Sequence, residues 1–183
     1  MCYNIGIFGQ GGDCISVKKL AQLSVLTAGA LVVFVIELQF PAPVPVPGVK
    51  PGLANVFTLF AIYRFKPHEA AMLVIVRVFL GCLFSGNMMA MIFSYAGATL
   101  CMAGMLLLKR VLKKDLIWLV SIIGAVLHNI GQLLAAAAVL GSFAVFGYLP
   151  VLLISGCISG CFTGVTAQLI INRTHWCEND CKK

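Results

Sequence analysis

The sequence predicts an all-α integral membrane protein, with six transmembrane helices and a proline-rich loop that re-enters the membrane after the first. Three observations lead there. Of 183 residues, 61% are hydrophobic and only 10% charged, with a mean hydropathy of +1.01, a composition foreign to ordinary soluble domains. The apolar residues gather in long runs that occupy nearly the whole chain, which leaves no stretch for a separate soluble catalytic module. The basic residues stand in short clusters between those runs, the pattern that membrane topology imposes.

Taken in order, the first run covers 21–38, after Lys18 and Lys19 and with Glu37 near its end. The stretch 1–12 is polar and glycine-rich with no basic segment ahead of a short apolar core, so the first span itself is expected to serve as the anchor. Prolines at 41, 43, 45, 47 and 51 then forbid a helix, and Gly48 and Gly52 supply turn-permissive positions. The second run, 53–63, has eleven residues and reaches only about 16 Å as a helix, against a hydrocarbon core of about 30 Å. The proline-rich loop must therefore dip inward, and irregular backbone at that depth is tolerated only where protein covers it or where it lines a watery cavity. Lys50 and Asn55 are expected at the wall of that cavity.

Pro67 opens the third run, which continues to position 84, carries Arg77 in its middle and leaves through Ser85-Gly86-Asn87. The fourth covers 88–108 and meets Lys109, Arg110, Lys113 and Lys114. The fifth covers 116–140; a turn through Gly141, Gly147 and Pro150 leads to the sixth, which is expected to end near Asn172-Arg173. The expected organisation is a cytoplasmic tail over 1–19, a six-helix membrane domain over 20–172 and a second cytoplasmic tail over 173–183.

Four positions in these runs can carry chemistry. A charge near mid-bilayer costs at least ~2.5–3.5 kcal/mol on insertion scales and is rarely left facing lipid. Arg77 therefore needs a partner; Glu37 is at a suitable depth to form a structural ion pair with it, and an anionic ligand is the other partner chemistry allows. In the fifth run, His128, Asn129 and Gln132 place three polar groups within five residues. His128 and Gln132 share one helix face and Asn129 flanks it. These residues, with Lys50, Asn55 and Arg77, form the expected substrate-binding set. No catalytic residue and no cofactor are expected. No metal is expected either, since one intramembrane histidine beside Glu37 is too small a ligand set.

In the sixth run Gly156, Gly160 and Gly164 recur every fourth residue beside Cys157 and Cys161, which points to close helix packing rather than thiol chemistry. Of eight cysteines, 82, 101, 157 and 161 lie in apolar runs and 2, 14, 177 and 181 in the tails, so no extracellular disulfide framework is present. The tail cysteines match no compact zinc spacing. A net charge of +7 does not imply nucleic acid, because no basic and aromatic face builds up.

The strings PGVKPGLANVFTL after a glutamate-ending first helix, the R-x-x-x-G of Arg77 and Gly81, HNIGQL at 128–133 and YLP at 148–150 resemble the bacterial family called heptaprenyl diphosphate synthase component I, also labelled the Gx transporter family. The likeness covers roughly 20–172, with Pro51 standing where the family usually has an aliphatic residue. That family is similar in six-helix organisation to the substrate-binding S components of energy-coupling factor (ECF) transporters, in which the loop after helix 1 caps a ligand pocket on the outer side. The resemblance implies a substrate-binding membrane subunit for uptake of a small polar or anionic vitamin or cofactor precursor. Its implied partners are the lipid bilayer, a small-molecule ligand and an energising module. The first span departs from the S components in lacking the Ala-x-x-x-Ala with which they dock on that module; Ser24 and Ala28 stand there as a weaker small-x-x-x-small substitute.

Two other functions stay open: a membrane subunit of a flavin- or quinone-linked electron-transfer system, partnered by electron-transfer subunits, and a non-catalytic accessory subunit of heptaprenyl diphosphate synthesis. Catalysis of prenyl condensation itself requires aspartate-rich motifs that hold Mg²⁺ against the diphosphate. The three aspartates here, Asp13, Asp115 and Asp180, are scattered.

Alternating the runs across a bacterial plasma membrane puts Lys18, Lys19, Arg64, Lys66, Lys109, Arg110, Lys113, Lys114, Arg173, Lys182 and Lys183 on one side and only Lys50 on the other. Both termini are then expected in the cytoplasm. In a variant stripped of its other cysteines, Cys181 should resist a membrane-impermeant thiol reagent in intact cells, and Val46→Cys should react. The reverse pattern would invert the topology.

Overall fold

The structure, a computed structural model, describes residues 17–39, 55–86, 89–112 and 116–180. Among these residues all regular structure is helical, with no strand. The elements are α1 (Val17–Gln39), α2 (Asn55–Arg64), α3 (Pro67–Ser85), α4 (Met89–Val111), α5 (Ile117–Leu140), a 3₁₀ helix (Phe143–Tyr148) and α6 (Leu149–Asp180).

Five of these helices, α1, α3, α4, α5 and α6, are long and apolar enough to cross a membrane. The sixth expected span is represented by α2, whose 10 residues reach only about 15 Å. By length it cannot cross alone, and the proline-rich loop expected to complete that crossing lies outside the described residues. The outward surface agrees with a lipid environment: Val25, Phe84, Ile158 and Leu169 are each more than 60% exposed, a face that water would penalise.

Local sequence sets most of the boundaries. Pro67 occupies the first turn of α3, where its missing N–H is no loss. Glu69 folds back so that its Oε2 accepts from the Lys66 amide at 2.9 Å. Gly86, at φ 67°, ends the helix in the left-handed region, a conformation glycine adopts without strain. One boundary differs from expectation. The turn after α5 contains the 3₁₀ helix, because Val145, Phe146 and Leu149 pack onto Leu133 and Leu152 and draw the segment against the bundle. The candidate membrane span that includes α6 ends at Arg173, as expected, while the helix itself continues to Asp180; no glycine or proline between 174 and 180 interrupts it.

The helices close into a ring. α3 packs on α4, α4 on α5 and α5 on α6, while α2 joins α6 to α1 and α3 and α1 lies on α3. α2 is the most enclosed element, with Leu59, Ala61 and Ile62 essentially without exposure. The start of α1, the end of α2, the start of α3 and the end of α4 gather at one end of the bundle. There Lys19 Nζ meets Glu69 Oε1 at 3.5 Å, and Lys109 Nζ donates to the Ile62 carbonyl.

The α4–α5–α6 side is packed through missing side chains. The stripe of Gly156, Gly160 and Gly164 lies against α5, where a Cβ at Gly160 would stand 2.7 Å from Ile122 Cα and one at Gly164 2.7 Å from Trp118 Cα. Cys157 and Cys161 are free and point outward. On the opposite flank of α5, a Cβ at Gly131 would come 2.8 Å from the Ala96 carbonyl oxygen and 2.9 Å from Gly97 Cα. Those are backbone atoms and cannot swing aside. Gly131→Ala should therefore cost about 1–3 kcal/mol of stability, read as an earlier unfolding midpoint in detergent micelles. An unchanged midpoint would show that α4 and α5 separate freely.

Candidate functional site

The polar residues inside the ring are organised by Arg77. Halfway along α3, its Nη1 donates to Thr58 Oγ1 at 2.7 Å and to Asn55 Oδ1 at 3.2 Å. Its Nη2 donates to the same Asn55 oxygen at 3.1 Å. Asn55 is the first residue of α2, and Thr58, three positions on, shares its face. Glu37, buried in the last turn of α1, lies near enough for its negative charge to act attractively on the guanidinium. Three helices thus meet on one cation, with hydrogen bonds to neutral oxygens and a carboxylate within reach.

The fifth-helix residues divide between two neighbours. His128 is hydrogen-bonded to the backbone of Gly97 on α4 and lies within electrostatic reach of Arg77. Gln132, one turn along the same face, rests its Cγ where a side chain at Gly97 would be: a Cβ there would meet it at 2.7 Å. Asn129 turns toward α6 instead, its Nδ2 donating to the Leu152 carbonyl at 2.7 Å and its amide lying over Gly156. The structure therefore brings Glu37, Asn55, Arg77 and His128 into one cluster with Gln132 beside it, and gives Asn129 a bond between helices. Lys50 lies outside the described residues.

Three members escaped the sequence reading. Thr58 is buried, and the only trace of it in sequence is its three-residue spacing from Asn55 in NVFT. Gly97 sits in an unremarkable apolar run, and only the close approach of α5 reveals its role. Cys101, also buried, lies within electrostatic reach of Arg77 and contacts Met105 Sδ at 3.9 Å through its sulfur.

An all-helical bundle with an apolar exterior and a charged, hydrogen-bonded cluster inside is a polytopic membrane protein. The sequence model of one family, heptaprenyl diphosphate synthase component I, matches residues 26–170, and the chain belongs to that family. No curated protein and no solved structure matches it.

Thr58→Val removes one acceptor from the guanidinium at nearly constant volume. With a charged donor left short of a partner, it should lose about 1–3 kcal/mol of stability, while Thr58→Ser should keep the wild-type unfolding midpoint. Equal behaviour of the two variants would mean that the 2.7 Å contact contributes nothing.

Proposed function

We propose that this chain is the substrate-binding membrane subunit of an ECF-type uptake transporter, acting on a small polar or anionic vitamin or cofactor precursor. The observation that carries the reading is the cluster of Asn55, Thr58, Arg77 and His128 inside a ring of lipid-facing helices. A polar interior of this kind is expensive in a membrane and marks ligand and ion pathways by default. The short α2 supports it further. Its first residue stands at the depth of Arg77, in keeping with the re-entrant cap expected before it.

In this reading α2 and the loop before it make the sixth crossing, both termini are cytoplasmic, and the membrane is the bacterial plasma membrane. The chain is a non-enzyme whose partner is an energising module. The family's name favours a second reading, a non-catalytic component of a heptaprenyl diphosphate synthase complex with partner subunits of its own. An electron-transfer subunit is the third.

Native mass spectrometry of the chain released from nanodiscs distinguishes them. A binding subunit should carry one small molecule per chain and show no visible absorption. A visible chromophore would favour electron transfer, and a bare chain that captures a soluble synthase subunit would favour the accessory role; either result overturns the transporter reading.

A further inference from the structure

We propose that Lys109, at the basic end of the bundle, is a positioning residue for the Arg77 cluster and acts on it through α2, so that the cluster and the basic end form one coupled unit. The proposal rests on how the two ends of α2 are held and is independent of the binding-subunit reading.

Each end of α2 is held by a cation from a different helix. At its first turn, Arg77 of α3 donates to Asn55 Oδ1 at 3.1 and 3.2 Å and to Thr58 Oγ1 at 2.7 Å. At its last turn, Lys109 of α4 donates from Nζ to the Ile62 carbonyl and stands 5.3 Å from the centre of the Tyr63 ring, within range of a cation–π contact.

The way α2 ends creates the need for this second tie. The Phe65 amide still closes the helical ladder onto the Ala61 carbonyl at 2.9 Å. The Lys66 amide, next in that ladder, instead donates to Glu69 Oε2 at 2.9 Å, because Lys66 is already the N-cap of α3. Ile62 thereby loses its intrahelical donor while only 1% exposed, and an orphaned carbonyl in such a place is costly. The Lys109 ammonium takes the donor's place and complements the negative end of the helix dipole.

Between the two ties the helix has no slack. Leu59, Ala61 and Ile62 are essentially without exposure and Thr58 is buried beside them, and the rise from Asn55 to Ile62 is only about 10 Å of hydrogen-bonded helix. A segment so short and enclosed moves as a rigid body, so a shift admitted at the Ile62 end displaces Asn55 and Thr58 with it. Contacts of 3.1 and 3.2 Å leave hydrogen-bond range when stretched by about half an ångström. Coupling of this kind is reciprocal. A change at the Arg77 cluster thus reaches the basic end through one short helix, with the spanning helices left in place.

The test uses the full chain in nanodiscs, isotope-labelled for NMR, and reads the exchange of the Arg77 guanidinium protons with water, assigned by their loss in Arg77→Lys. Lys109→Met removes the ammonium at similar length and should speed that exchange roughly tenfold or more while the backbone amides of α5 keep their rates. Lys109→Arg, which restores a cationic donor, should return it to near the wild-type rate. Arg110 lies one position on, about 100° around α4, and is exposed; Arg110→Met controls for loss of charge alone and should leave the exchange unchanged. In the opposite direction, Thr58→Val should shift the ring resonances of Tyr63 at the far end of α2. That measurement needs no change at Lys109, so it decides the matter if Lys109→Met does not fold. Unchanged exchange in Lys109→Met, acceleration throughout the chain, the same acceleration in Arg110→Met, no recovery in Lys109→Arg, or an unmoved Tyr63 ring in Thr58→Val would overturn the proposal.

Discussion

A guanidinium inside an apolar bundle has to be solvated by protein, and that requirement fixes the geometry of half the molecule. Arg77 is ten residues into α3, counted from Pro67, and α2 is itself 10 residues long. The two segments run antiparallel, joined by the short turn at 65–66, so the first residue of α2 arrives at the depth of Arg77. Asn55 and Thr58 occupy that first turn and supply the oxygens. α2 is therefore as long as the distance from the basic end of the bundle to the buried cation, and its failure to span follows from what it must reach.

The two halves of the ring are held by different forces. On the α4–α5–α6 side, glycines allow backbones to touch, and dispersion over that contact does the work that hydrophobic burial does in water. Ser121 and Thr163 add a hydroxyl contact at 3.0 Å. On the other side, long polar side chains reach across larger gaps: Arg77 to α2, Lys19 to Glu69, and Lys109 to the last turn of α2, where its ammonium also stands 5.3 Å from the centre of the Tyr63 ring. Glycine packing resists any sliding of the backbones, whereas side-chain ties tolerate small rotations. The His128–Gln132 face belongs to the glycine-packed half and the Asn55 face to the tied half, so the interior lies where the two meet.

Much of this was legible in sequence because the signals were local. Pro67, Gly86 and Gly141 mark their helix boundaries by backbone chemistry alone, and Arg77 announces itself by its cost in lipid. What could not be read depends on the order of helices around the ring. His128 and Asn129 are adjacent in sequence but about 100° apart on a helix, so what reads as one polar strip is two faces, one met by α4 and the other by α6. Thr58 gave no warning because a threonine in an apolar helix usually bonds its own backbone, as Thr27 and Thr166 do here. The 3₁₀ helix after α5 depends on tertiary contacts of Phe146 and Leu149, which no turn signal encodes.

Stability alone does not account for the Arg77 cluster. Replacing a buried ion pair by well-packed apolar residues is often neutral or favourable by ~1–4 kcal/mol, and leucine or methionine in place of Arg77 and Glu37 would need no hydrogen bonds at all. What such residues cannot supply is direction. A planar fork sets the depth of α2 against α3 and dictates which end of the Asn55 carboxamide looks inward. Apolar packing would hold the same helices together yet leave that amide free to turn. The charge thus fixes the orientation of the Asn55 carboxamide and ties the first turn of α2 to the middle of α3.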